Sequence, residues 1–150
     1  MKKNLSLTLS TLKNFQLDYP NSHVGGSIGL FLRGIDLKRD LNLSDLDITT
    51  DKFEFDSKIY DERSDGNDFD YAIKKEHQSN GYTKIDIRLD SNCKFDVITF
   101  EGISYNVSKL EDILKWKKTY ADKGVKKHIN DLITIETGIR PLEILNDLLF

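Results

Sequence analysis

The chain has 150 residues, 38% of them hydrophobic and 31% charged, which suits one domain around one core. Its net charge of −3 excludes the overall basic footprint of a general nucleic-acid binder, and Cys93, the sole cysteine, excludes an intrachain disulfide or a cysteine-based zinc site. No long apolar run and no signal-peptide pattern at Met1-Lys2-Lys3 stand in the sequence, so a cytoplasmic protein with no membrane partner is expected. Charge is uneven. Asp and Glu crowd into 45–70, while Lys gathers in 109–127.

In chain order, residues 4–17 begin with alternating leucines (Leu5, Leu7, Leu9) and continue through Leu12 and Phe15, a pattern that fits a short strand or a helix. Tyr19-Pro20-Asn21-Ser22 is a turn. His23-Val24 opens an extended segment that Gly25-Gly26 turns. From Ser27 the positions Ile28, Leu30, Phe31 and Leu32 predict a short buried helix stopped at Gly34. An irregular basic connection follows to Leu43. Leu43 to Thr50 reads as a strand with Leu46 and Ile48 opposite Asp45 and Asp47. Residues 51–70 are polar, with a loop tip at Ser64-Asp65-Gly66-Asn67-Asp68, and Phe69 to His77 fits a short strand or helix. Residues 83–89 and 93–100 are the clearest strands, and Asp90-Ser91-Asn92 predicts a hairpin between them. Residues 108–120 predict a helix with Ser108 and Glu111 as a capping box. A second helix, 125–136, carries Val125, Ile129, Leu132 and Ile133 on one face, with Gly138 ending it and Pro141 opening a last helix to 149. The fold class expected is α+β, a small mixed sheet flanked by helices in a single domain over 1–150.

The residues with chemical promise begin with Asp45-Leu46-Asp47. On a strand, acids spaced i, i+2 share a face, where they repel unless a cation or proton sits between them. Hard oxygen ligands favour Mg²⁺ or Mn²⁺. A solvated strand face is the plain alternative. A two-metal phosphoryl-transfer site needs a third acid. Asp96, facing away from Phe95 and Val97, is the choice, with Asp86 as competitor because a hairpin centred on Ser91 would pair residues 86 and 96 on one face. Gly25 and Gly26 let backbone approach a phosphate closely, and the Ser27 hydroxyl can donate to a phosphate oxygen. Arg39 lies between the glycines and the acids, placed to reach a triphosphate or pair with an acid. The histidines, His23, His77 and His128, are scattered, and Trp116 and Tyr120 read as core or as a surface for stacking a base.

In order, Gly25-Gly26-Ser27-Ile28-Gly29-Leu30, Gly34-Ile35-Asp36-Leu37-Lys38-Arg39 and Asp45-Leu46-Asp47-Ile48 resemble the polymerase-beta-type nucleotidyltransferase fold, in particular the small subset that includes the AbiEii-like toxins and related phage and bacterial proteins. The resemblance covers roughly residues 23–132, with 37–43 as an inserted loop. It implies a later strand acid, which Asp96 fits, and downstream helices in which Lys117 contacts nucleotide phosphates and Asp131 packs beside the site. The implied activity is Mg²⁺-dependent transfer of a nucleoside monophosphate from a nucleoside triphosphate to a hydroxyl on a protein, an RNA or a small molecule. In that activity Asp45, Asp47 and Asp96 hold metal and carry the chemistry, and Gly25, Gly26, Ser27, Arg39 and Lys117 hold the nucleotide. The rival expectation is an inactive binding module of the same fold, antitoxin-like or a phage protein acting on host defence, with a protein partner.

Overall fold

The computed structural model describes residues 2–41, 44–58, 60–62, 69–73, 84–91 and 94–141. Among these, the chain forms four helices and a mixed sheet of seven strands, so the α+β class holds.

Helix α1 spans Lys2–Asp18. The leucine alternation that also suited a strand gives way to helical spacing because Leu9, Leu12 and Phe15 then share one buried face. Strand β1 is only His23–Val24, and helix α2, Gly26–Leu32, follows at once. Gly34, at φ +83°, ends α2: its N–H bonds Phe31 O and the Ile35 N–H bonds Leu30 O, the paired closure that a left-handed glycine permits. Gly29 lets α2 lie close on the sheet, since a Cβ there would stand 2.9 Å from the Val24 carbonyl oxygen.

Strand β2 is Leu46–Thr50, with Leu46, Ile48 and Thr50 buried. Asp45 precedes it. Strands β3 (Tyr60–Glu62) and β4 (Phe69–Ile73) form an antiparallel pair, and β5 is Lys84–Leu89. Strand β6 (Phe95–Phe100) returns as β7 (Ile103–Ser108) through Glu101 and Gly102, both at positive φ, as a two-residue hairpin turn requires. The sheet order is β3-β4-β5-β2-β1-β7-β6. Strand β2 runs antiparallel to β1 and parallel to β5. Because β1 is so short, the Gln16 amide bonds the backbone N–H and C=O of Asn106, standing in for a strand neighbour along β7.

Several expectations are corrected. The predicted hairpin between 83–89 and 93–100 does not form: β5 pairs with β2 and β4, while β6 pairs with β7. Residues 103–108, outside the strands expected from the sequence, form β7 beside β6. Helix α3 is Leu110–Asp122, and Ser108 does not cap it, because its hydroxyl is bonded to His23 Nδ1. Helix α4 is Lys126–Thr137, ended by Gly138 as expected. Its buried residues are Asn130, Asp131 and Thr134, whereas Val125 and Ile133 are exposed. The loop tip at 64–68 and the last helix from 142 lie outside the described residues.

Candidate functional site

Asp47 is the centre of the site. It projects from β2 with Asp45 two residues before it, and solvent reaches its side chain. Its backbone oxygen accepts the Gly25 N–H at 2.8 Å, which locks β2 to the glycine corner. Gly26 sits at φ +59°, and a Cβ on it would come within 2.1 Å of Asp47 Oδ2. The absence of a side chain at Gly26 therefore makes room for the Asp47 carboxylate to lie on the backbone at the start of α2.

Asp86 stands beside Asp47 in register across the parallel β2–β5 pair, and Asp70 is opposite Asp86 across β4–β5. The Asp47 and Asp86 carboxyls are in hydrogen-bond contact. That contact needs one shared proton, or a cation in the proton's place. The protein around Asp47 raises its carboxyl above the ordinary range, and the Asp45 charge adds to this; the Asp86 hydrogen bond and the charges of Lys127 and Lys117 pull the other way. Because solvent reaches Asp47, the first of these effects is that of cleft walls, weaker than full burial. Lys84 Nζ lies 3.4 Å from Asp45 Oδ2 and 3.6 Å from Asp86 Oδ1, a built-in cation between two of the acids. Among the described residues, no group of three or more His, Cys, Asp or Glu side chains is arranged to hold a metal ion. Asp47 and Asp86 do fit a magnesium ion that takes one or two carboxylates and fills its remaining positions with water and phosphate oxygens.

The basic half of the site is buried. Arg39 Nη2 donates to Ser27 Oγ at 2.5 Å, and the same guanidinium forks onto Asp131 at 2.9 and 3.0 Å. Lys117 and Arg140 each reach Asp131 at 2.7 Å. Asp131 is fully buried and Lys117 is 2% exposed, so three cations converge on one carboxylate inside the protein. Those hydrogen bonds and charges outweigh the effect of burial and hold the Asp131 carboxyl far below the usual carboxylate range. Burial lowers the Lys117 ammonium in turn. His128 Nδ1 lies 3.3 Å from Lys117 Nζ; lysine has only protons to give, so the ring nitrogen accepts. Burial, then the Lys117 and Lys127 charges, lower His128 to about 4.

Asp96 is not part of this arrangement. It lies on β6, the sheet edge, with β1 and β7 between it and β2, three strand spacings or roughly 14 Å away. Lys109 and Arg33 bind its carboxyl at 2.5 and 2.8 Å and hold it below the usual range. The expected pairing of 86 with 96 fails with the hairpin that would have made it, and Asp86 takes the place beside Asp47. Gly25, Gly26, Ser27, Asp45, Asp47, Arg39 and Lys117 are brought together, the last two through Asp131. The resemblance implies Asp131 beside the site, but nothing in the sequence shows that it gathers three cations; Arg140 and Lys84 carry no signal.

The chain matches no model of a known protein family, no curated protein and no solved structure. No helix among the described residues is long and apolar enough to cross a membrane.

Proposed function

We propose that this chain is a small nucleotidyltransferase of the polymerase-beta type, moving a nucleoside monophosphate from a nucleoside triphosphate to a hydroxyl acceptor with Mg²⁺ or Mn²⁺ as cofactor. One observation carries the reading: the Asp47 carboxylate rests on a side-chain-free Gly26 with Asp86 in register beside it. A glycine corner opposite paired acids is a place for a phosphate and a divalent ion to meet. Asp47 and Asp86 would hold the ion, with Asp45 nearby and held by Lys84. Such an ion supplies charge neutralisation for the triphosphate and lowers the pKa of the attacking hydroxyl.

The acceptor oxygen attacks the α-phosphorus, the bond to the β-phosphate oxygen breaks, and pyrophosphate leaves with that electron pair. Asp86 accepts the hydroxyl proton. Gly26 and Ser27 border the departing phosphates. Arg39, fixed by Asp131 and already bonded to Ser27, supplies positive charge beside them, and Lys117 fixes Asp131 in turn.

Transfer of label from α-labelled nucleoside triphosphate tests the reading. Asp47→Asn and Asp86→Asn each abolish transfer in a folded protein, whereas Asp96→Asn changes it less than about threefold. Undiminished transfer by Asp47→Asn refutes the proposal. The Lys84 ammonium between Asp45 and Asp86 favours a second reading, an inactive module of the same fold. Calorimetry separates the two: the enzyme binds nucleoside triphosphate only with Mg²⁺ present, and the inactive module shows no such dependence.

A further inference from the structure

Lys84 stands inside the acid site rather than at its margin. It opens β5 and alternates with the buried Ile85 and Ile87, so it shares a sheet face with Asp86. The parallel register sets Asp86 beside Asp47 and Ile85 beside Leu46. One residue earlier on each strand, the same register brings Lys84 level with Asp45. The face thus carries two rows, an acid beside an acid and an acid beside a lysine. Lys84 Nζ lies 3.4 Å from Asp45 Oδ2 and 3.6 Å from Asp86 Oδ1, so the ammonium ties the two rows together. Its side chain is 33% exposed. A lysine that served solubility alone would extend its ammonium into water instead of turning it between two carboxylates.

Charge decides what a lysine in that place does. Asp45, Asp47 and Asp86 bring three negative charges when all are ionised. One ammonium and one divalent ion neutralise them. Two divalent ions beside the same ammonium would crowd an excess of positive charge into a small space, at a cost in repulsion. A second ion would also need Asp45 as a ligand, and Asp45 is the carboxylate that Lys84 holds. An ammonium suits the part. It is a compact point charge with three donors, and it demands no coordination shell.

We infer that Lys84 is the fixed second cation of this site, so that the chain takes one divalent ion, on Asp47 and Asp86, where a two-ion site would take two. The inference rests on the proposed function for the use made of that ion. The ion count itself does not depend on catalysis. In transfer, Lys84 supplies from the side of Asp45 the positive charge that a second ion gives elsewhere.

Mn²⁺ reports the count directly, because its free-ion electron spin resonance signal is lost on binding. It is titrated into the whole protein without nucleotide. One ion per chain is expected for the parent and for Lys84→Arg, which keeps the charge. Lys84→Met keeps most of the stem and removes the ammonium, which releases Asp45. It is expected to bind two ions, the first about 10-fold more tightly than the parent binds its own. Adding Asp45→Asn to Lys84→Met returns the count to one, which shows that the second ion sits on Asp45 and not on a damaged fold. Two ions in the parent overturn the inference. So does a parent that binds none, or a Lys84→Met variant that binds one ion with unchanged affinity. The rate of label transfer gives a second readout. In the parent it levels off once Mg²⁺ equals the triphosphate, and in Lys84→Met it needs Mg²⁺ in excess; a parent that needs the excess refutes the assignment. One bound ion with no transfer removes the proposed activity and leaves Lys84 in its place, whereas transfer with two ions bound does the reverse.

Discussion

Asp47 Oδ2 occupies the space that a Cβ on Gly26 would enter, with 2.1 Å between the two positions. The carboxylate belongs to a strand and the glycine to the first residue of a helix, so this contact joins the acidic part of the site to the turn that precedes Ser27.

Gly26→Ala follows from that contact. The methyl group would force Asp47 to rotate, and the backbone at φ +59° disfavours any L side chain. The expected cost is about 1–3 kcal/mol in stability, with loss of transfer beyond roughly 100-fold. Gly34→Ala is the control. It meets open space at φ +83°, so it costs about 1 kcal/mol of backbone strain and leaves transfer intact. Denaturant melts and label transfer on both variants give the comparison, and equal transfer by the two would detach Gly26 from the site.

A carboxylate crowded by its neighbours is kept at the expense of stability. Asp47 has Asp45 two residues away on its strand face and Asp86 in hydrogen-bond contact. Asp47→Asn removes one of these like charges and keeps a hydrogen-bonding group. It should raise Tm by a few degrees at pH 7, about 0.5–1 kcal/mol once solvent screening is allowed for, while abolishing transfer. Calorimetric melts decide it. A lowered Tm would mean that Lys84 and the nearby lysines already neutralise the cluster.

Asp131 works in the opposite sense. It is the common partner of Arg39, Lys117 and Arg140, and it is fully buried. Asp131→Ala leaves three cations without their carboxylate, at an expected cost of about 3–5 kcal/mol. Asp131→Ala combined with Lys117→Met should recover part of the loss by removing the most buried of those charges. A double variant no more stable than the single one would show that the cluster is held by Arg39 and Arg140 alone.

What the sequence disclosed follows physical lines. Local signals held: the glycine stops at Gly34 and Gly138, the short helix after Ser27, and Asp45 and Asp47 opposite Leu46 and Ile48. Pairing between strands distant in the chain did not. Nothing near residues 83–100 indicates that β5 inserts beside β2 while β6 turns back through Glu101 and Gly102, so the local sequence favours Asp96 for a place that Asp86 holds. Helix α4 misled for another reason. Its apolar stripe predicted the buried face, yet the buried face carries Asn130, Asp131 and Thr134, because a charge cluster holds that helix in place.

The same cluster sets the response to acid. His128 is lowered to about 4 by burial and by the charges of Lys117 and Lys127, and His23 is lowered by burial with its Nδ1 bonded to Ser108. In the unfolded chain both titrate near 6.5. Between about 4 and 6.5 the unfolded state therefore holds protons that the native His128 refuses, and native stability rises with pH across that window. Stability is fully present above about 6.5 and declines as pH falls toward 4. Solvent reaches the His128 ring in part, so the expected loss from pH 6.5 to 5 is on the order of 1 kcal/mol for this residue. Depressed Asp131 adds a loss of the same sign at lower pH, below the ordinary carboxylate range. Asp47, raised, has the opposite sign: its contribution is present below the ordinary carboxylate range and is lost as pH rises through its native value. Urea melts from pH 7.5 to 4.5 on the parent and on His128→Asn isolate the histidine, since asparagine can still accept from Lys117 and does not titrate. The variant should lose less stability on acidification than the parent, and parallel curves would assign the acid sensitivity to other groups.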